Sequence, residues 1–337
     1  MKVDAGLIAA ALPEVPAAAR RLEALGYDGV FTFEGPHDPF FPLLLAAEHT
    51  ERVELTTAIA VAFARNPMTL AQLAYDLQLA SQGRMVLGLG TQVAPHITKR
   101  FSMPWSAPAA RLREMVLAIR AIWASWHEGA PLDFRGEFYT HTLMTPMFNP
   151  GPSPFGVPRI AVAGVGPRMT EVAGEVADAF IVHPFTTPKF LAATTLPALA
   201  RGAAAGGRTA GSVEVSFPAM VAVGTTDADV ERARESFRMR IAFYGSTPAY
   251  RVVLDAHSWG DLQPELNRMT KSGEWSSIAS LVTDEVLDEF VTSGRVDQIA
   301  GRLHDRYGAL VDRIALDPPN HVDDDTWPAA IQALRTP

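Results

Sequence analysis

Residues 84–92 read RMVLGLGTQ, and the fold turns on what this glycine-spaced run is. A dinucleotide-binding fingerprint needs G-x-G-x-x-G leaving a strand and entering a helix at once. Gly88 and Gly90 fit its first two positions, but Val93 occupies the third. The residues that follow, VAPHITKRFSMPW, carry two prolines and show no helical period. The alternative is a buried parallel strand whose glycines let a ligand lie close to the backbone at its end. What the rest of the chain repeats decides between the two.

Working outward from that run, short apolar segments alternate with longer helical patterns. Strands are expected at 3–9, 29–34, 53–61, 85–91, 159–164, 179–183, 216–223 and 312–318. Helical patterns fall at 13–25, 39–50, 67–82, 108–128, 167–176, 188–205, 227–243 and 295–308. Gly26 and Gly83 stand at helix stops and Pro67 at a first helical position. Strands apolar on both faces signal a parallel sheet covered on both sides. Eight such units predict an α/β fold of the TIM (β/α)8 barrel type, with 84–92 as its fourth strand. A doubly wound open sheet is the alternative, because periodicity cannot count closure. The chain reads as one domain over 1–337, with insertions at about 94–157, after strand 4, and at 246–293, before the last βα unit. Long excursions of this kind in a compact domain are usually lids or binding loops.

Composition narrows the function. Of 337 residues, 48% are hydrophobic and 20% charged, as in an ordinary soluble globular protein. There are no cysteines, which excludes disulfides, thiolate metal sites and a cysteine nucleophile. The net charge of −8 argues against a nucleic-acid partner. Apolar runs such as AIAVAFA at 58–64 are far too short to span a bilayer, and the N-terminal run is interrupted by Asp4. A cytoplasmic enzyme or binding protein is expected.

Barrel active sites gather at the C-terminal ends of the strands. Those ends carry Glu34, His37 and Asp38, then Ala58 and Ile59, Thr91, Gln92 and His96, the GVGPR of 164–168, His183 and Asp317. In AGVGPRMTEVAG (163–174), Gly164 and Gly166 precede Pro167 at a helix start, and Arg168 adds charge. Free amides and the helix dipole make this a phosphate site, or else the glycines serve only a tight turn. In FEGPHDPF (33–40), Glu34 and His37 would supply general acid–base catalysis, while Asp38 caps the next helix. The competing view leaves His37 an exposed loop residue. His96 and His183 lack metal-ligand spacing, so no metal is expected and a pocket-lining role fits better. Met103, Trp105, Met144, Met147 and Phe148 would line an apolar substrate pocket or fill the core of a lid.

These residues resemble the luciferase-like monooxygenase superfamily, specifically its coenzyme F420-dependent oxidoreductase branch. The likeness rests on LEALGYDGVFTFE (22–34), NPMTLAQLAYDLQLASQGRMVLGLGTQ (66–92), RLREMVLAIRAIW (111–123) with FRGEFY (134–139), and PRIAVAGVGPRMTEVAGEVADAFIVH (158–183). The resemblance implies a barrel with a (deaza)flavin at its strand ends. By position, Glu34 matches the acidic residue closing strand two, and Ala58–Ile59 a non-proline cis peptide behind the ring. Thr91 and Gln92 would lie near that ring. Ala163, Gly164, Gly166, Pro167 and Arg168 match the loop that meets the cofactor phosphate and side chain, and His183 completes the cofactor-facing set.

Two departures bear on activity. The family's F420-dependent glucose-6-phosphate dehydrogenases carry an Asp-His pair after strand two and a Glu after strand four. Here Gly35 follows Glu34, the histidine is displaced to His37, and Gln92 stands at the Glu position. A neutral glutamine cannot be the same proton donor, so sugar-phosphate oxidation is not implied. The resemblance points instead to hydride transfer between F420 and a small carbonyl, alcohol or alkene, with Glu34 or His37 handling the proton. An FMN-dependent monooxygenase and a non-catalytic flavin-binding protein are the rival readings. A homodimer through the apolar faces of helices near 39–50 and 67–82 is compatible with the family.

Overall fold

Side chains along a strand point alternately to its two faces, and here the two faces receive different residues. The computed structural model describes residues 1–9, 11–275, 277–319 and 322–336. Eight parallel strands make the central sheet: β1 (Lys2–Gly6), β2 (Gly29–Thr32), β3 (Glu54–Thr57), β4 (Met85–Gly90), β5 (Arg159–Gly164), β6 (Ala179–Val182), β7 (Glu214–Pro218) and β8 (Arg313–Ala315). Each pairs with its successor, and β8 pairs with β1 through Val3↔Ile314. The sheet is therefore closed, a TIM barrel and not an open doubly wound sheet. Outward-facing Val30, Leu55, Leu87, Ile160, Phe180 and Phe217 join the main core under the helices. Each such side chain contributes roughly 1.5–3 kcal/mol by leaving water. Inside the barrel, Val86, Ala161, Ala179 and Ile181 form a separate, smaller cluster.

The run at 84–92 is β4, and all six of its residues are buried. A Cβ on Gly88 would stand 1.8 Å from the carbonyl oxygen of Thr57. The Gly88 N–H donates to Thr57 Oγ1 at 2.9 Å, and that hydroxyl donates to the Gly88 carbonyl at 2.8 Å. Glycine is needed here so that β3 can come close. After Gly90 the backbone turns through Gln92 at φ +58°, and a short π-helical turn, His96–Arg100, comes before the helix Pro108–His127.

The barrel floor is ionic. The buried Arg313 guanidinium donates to both Asp4 carboxylate oxygens at 2.7 Å and to Glu54 Oε2 at 2.6 Å, tying β8 to β1 and β3.

The expected strand at 216–223 is two strands. β7 ends at Pro218, and Met220–Gly224 leaves the barrel to pair in parallel with Val291–Arg295. The break falls inside the continuous run FPAMVAV of 217–223, so composition hides it. The strand at 291–295 straddles the end of the 246–293 excursion, to which no strand was assigned. Consequently the helix Asp227–Gly245, opened by a Thr226–Asp229 capping box, packs on this small sheet and not in the barrel ring. Its apolar partners, including Met220, Ile241, Leu266, Leu287 and Phe290, form a second core. The ring is completed by the helices Val296–Tyr307 and Trp327–Arg335, the latter absent from the sequence reading. Among the described residues no helix is long and apolar enough to cross a membrane.

Candidate active site

The loops leaving β2 and β3 interlock at the barrel mouth. The Ala58–Ile59 peptide bond is cis. The Ala58 N–H donates to the Thr32 carbonyl at 2.6 Å, and the Glu34 N–H to the Ile59 carbonyl at 3.1 Å. Beyond this bend Ala60–Val61 resumes pairing with Leu89–Gly90. Gly90 makes room for the bend, since a Cβ there would meet Ile59 Cγ1 at 2.8 Å.

Glu34 is tied into that joint. Its Oε2 accepts from the Val61 N–H at 2.7 Å and from Arg65 Nη1 at 2.6 Å, and its side chain is only 7% exposed. Arg65 also donates to Asp38 Oδ2 at 2.8 Å, while Asp38 Oδ1 accepts the Phe40 N–H at 2.8 Å. His37 is exposed on the loop. Glu34, Arg65 and Asp38 thus form one ion network, and the partners of Glu34 in it are Arg65 and the Val61 amide, not His37. Arg65 escaped the sequence reading; the signal available was a lone basic residue in AFARNP, directly after the apolar run.

Thr91 and Gln92 lie half-buried beyond β4, Thr91 Oγ1 donating to the Gln92 carbonyl at 3.0 Å. Arg100 donates to the Gly35 carbonyl, drawing the loop after β4 over the loop after β2. At the end of β5, Ala163 and Gly164 are half-buried, and Gly166 is the N-cap of the helix Pro167–Val176. No side chain caps this helix, and a Cβ on Gly166 would meet nothing within 4 Å. Arg168 is exposed beside it. Uncapped amides, the helix dipole and a guanidinium together suit an anion.

His183 follows β6. Its Nδ1 accepts the Phe185 N–H at 3.0 Å, which leaves the proton of a neutral ring on Nε2. Tyr250 of the insertion and Tyr244, near the end of the helix Asp227–Gly245, pack against it, the first tilted and the second edge-on, with ring centroids 4.4 Å and 4.9 Å away. Burial holds its pKa down at about 4, so the ring is neutral at physiological pH. The two tyrosines are the other residues missed from the sequence, where nothing links 244–250 to a strand end 60 residues earlier. His183 opens onto a cavity of about 150 Å³ that continues down the barrel axis past Ala58 and Ile59.

Several expected lining residues lie elsewhere. Trp105 packs edge-on against Phe63 at 5.7 Å, and Met103 lies against the main core. Met144 borders a groove with Ser125, Trp126 and His127 at the far end of the helix Pro108–His127. Met147 and Phe148 are exposed. The 130–157 segment follows that helix, so much of it runs away from the mouth. Among the described residues no cluster of three His, Asp or Glu side chains is placed to hold a metal.

A closed parallel barrel with an interlocked, partly apolar mouth and an uncapped helix start beside it is an architecture that comparison places in a family. Residues 1–313 match the family model for luciferase-like monooxygenase, and the chain belongs to that family. An uncharacterized protein of Mycobacterium tuberculosis is 54% identical over 93% of this chain and 92% of its own length. An F420-dependent glucose-6-phosphate dehydrogenase of Nocardia farcinica is 31% identical over 61% of this chain and 60% of its own. Among solved structures, the coenzyme F420-dependent tetrahydromethanopterin reductase from Methanopyrus kandleri superposes with a TM-score of 0.77 at 18% identity, covering 100% of this chain and 97% of that one. That likeness concerns the fold.

Proposed function

We propose that the protein is an oxidoreductase that transfers hydride between coenzyme F420 and a small organic carbonyl, alcohol or alkene. The observation that carries this reading is the pairing, on one barrel mouth, of an apolar slot beside Ile59 with the uncapped, glycine-flanked helix start at Gly166. A flat ring with a phosphate-bearing tail needs both features. When bound, F420 supplies a ring carbon that gives or takes hydride and reacts little with oxygen.

The chain's own residues have separable tasks in this reading. Ala58 and Ile59, with Thr91 and Gln92, face the ring. The amides around Gly164 and Gly166, with Arg168, hold the anionic tail, and Ala163 ends the strand that presents them. Glu34 and Arg65 keep the Ala58–Ile59 bend fixed against β2. His183, neutral and with its proton on Nε2, donates a hydrogen bond to the substrate oxygen, a role a neutral imidazole fills without losing its proton. The proton that accompanies the hydride comes from water at the mouth, where His37 is exposed.

Fluorescence titration of the purified chain with F420 and, separately, FMN tests the reading. Saturable F420 binding in the micromolar range is expected, weakened about tenfold or more by Gly166→Asp, which sets a carboxylate at the phosphate position. Tight FMN binding with none for F420 would favour an oxygen-using monooxygenase instead.

A further inference from the structure

A histidine held neutral donates a hydrogen bond well but gives up its proton poorly. Hydride transfer to a carbonyl therefore needs a second group that exchanges a proton with water. Three acidic side chains stand just beyond the strand ends: Glu34, Asp38 and Asp317. Glu34 and Asp38 each give an oxygen to Arg65. Asp317 forms no ion pair among the described residues; its Oδ1 accepts the Gly6 N–H at 2.8 Å, and none of them holds its Oδ2.

Two observations put this carboxyl over the barrel axis and near His183. Side chains alternate along β1, and Asp4 lines the axis, so position 6 faces inward as well. A Cβ on Gly6 would stand 3.0 Å from Asp317 Oδ1, so the carboxyl occupies the inward space that glycine leaves open. Pro318 and Pro319 follow it and stiffen the loop. Secondly, Arg240 of the helix Asp227–Gly245 is a cation whose charge acts on Asp317. Arg240 and Tyr244 are four residues apart on one face of that helix, where neighbours lie roughly 5–6 Å apart. Tyr244 packs on His183, so a single helix face spans both groups.

The setting also suits proton exchange. Burial pushes the Asp317 pKa above the usual carboxylate value, opposed by the Gly6 amide and the Arg240 charge, although part of the residue stays exposed. Tyr27, whose hydroxyl donates to the Leu316 carbonyl, also lies in its field. A carboxyl moved toward neutrality is a better match for acid–base work near physiological pH.

We infer that Asp317 is the catalytic residue that passes the proton between water and the substrate oxygen, with Oδ2 facing that oxygen while His183 Nε2–H holds its other lone pair. This rests on the oxidoreductase reading above. In the reducing direction, hydride from reduced F420 bonds to the carbonyl carbon and the C=O π pair moves to oxygen. That oxygen takes the Asp317 proton, leaving an alcohol, oxidised F420 and a carboxylate that water reprotonates.

The test uses the full-length protein with reduced F420 and acetone, cyclohexanone or benzaldehyde, followed by cofactor absorbance. Native turnover should fall as pH rises through the Asp317 pKa. Asp317→Asn keeps an oxygen for the Gly6 amide and should lose about a hundredfold or more in kcat, with that pH limb gone. Asp317→Glu should recover part of the loss. Arg240→Gln removes the opposing charge and should move the limb to higher pH. A readout without cofactor is carbon NMR of labelled aspartate carboxyls, the Asp317 signal being the one absent from either Asp317 variant. Its midpoint should lie above the ordinary value of about 3.9. Unaltered kcat and pH profile in a folded Asp317→Asn, or a midpoint at or below the ordinary value, overturns this inference alone. Should Asp317→Asn fail to fold, an unmoved limb in both Asp317→Glu and Arg240→Gln overturns it. A native protein that reduces none of the three probes overturns it together with the carbonyl assignment, while the F420 titration above judges the cofactor reading separately.

Discussion

His183 shows how much one side chain's surroundings can set. In water its imidazole would titrate near 6.5; buried beneath Tyr244 and Tyr250 and accepting the Phe185 amide, it titrates near 4. Between those values the unfolded chain binds a proton that the native protein refuses. Native stability therefore rises with pH across this window and is lost on acidification, by up to about 3 kcal/mol at pH 4. Calorimetric melting of the native protein and His183→Gln from pH 7 to 4 checks this: the native curve should fall more steeply, and parallel curves would rule the burial argument out. From the sequence His183 was legible as a strand-end residue. Its tautomer and neutrality were not, because they depend on an amide two residues away and on the rings of Tyr244 and Tyr250, about 60 residues further along the chain.

At the scale of elements, the joint between the β2 and β3 loops organises the mouth. Arg65 is 14% exposed and Glu34 7%, so removing the guanidinium leaves a largely desolvated carboxylate. Arg65→Met should cost about 3 kcal/mol in urea unfolding. Glu34→Gln, which keeps an acceptor for the Val61 amide, should cost about 1, and adding it to Arg65→Met should recover part of the loss. A single Arg65→Met variant as stable as the native protein would show the pair to be incidental. The helix Pro167–Val176 and strands β4 and β5 were read at or near their observed limits, since Pro at the start and a buried apolar run are local signals. The Glu34–Arg65 pairing was not, because 31 residues separate its partners.

For the whole molecule, the ionic floor acts as a clasp across the barrel's closure. Arg313 joins the first, third and last strands, its side chain 5% exposed and that of Asp4 10%. Arg313→Met would leave Asp4 buried without its partner and should lower stability by about 3–5 kcal/mol, read as a large drop in melting temperature. An unchanged melting temperature would mean that closure rests on backbone pairing and apolar burial alone. What the sequence by itself determined is the local grammar: eight strands apolar on both faces, helices between them, the glycine pairs, and the absence of thiols. These are set by side-chain size, backbone freedom and periodicity within a few residues. Closure of the sheet, departure of Met220–Gly224 into a second small sheet, and the pairing of Glu34 with Arg65 were decided only by the tertiary structure. Each depends on which distant residues meet: Ile314 with Val3, Val291 with Met220, and Arg65 with Glu34.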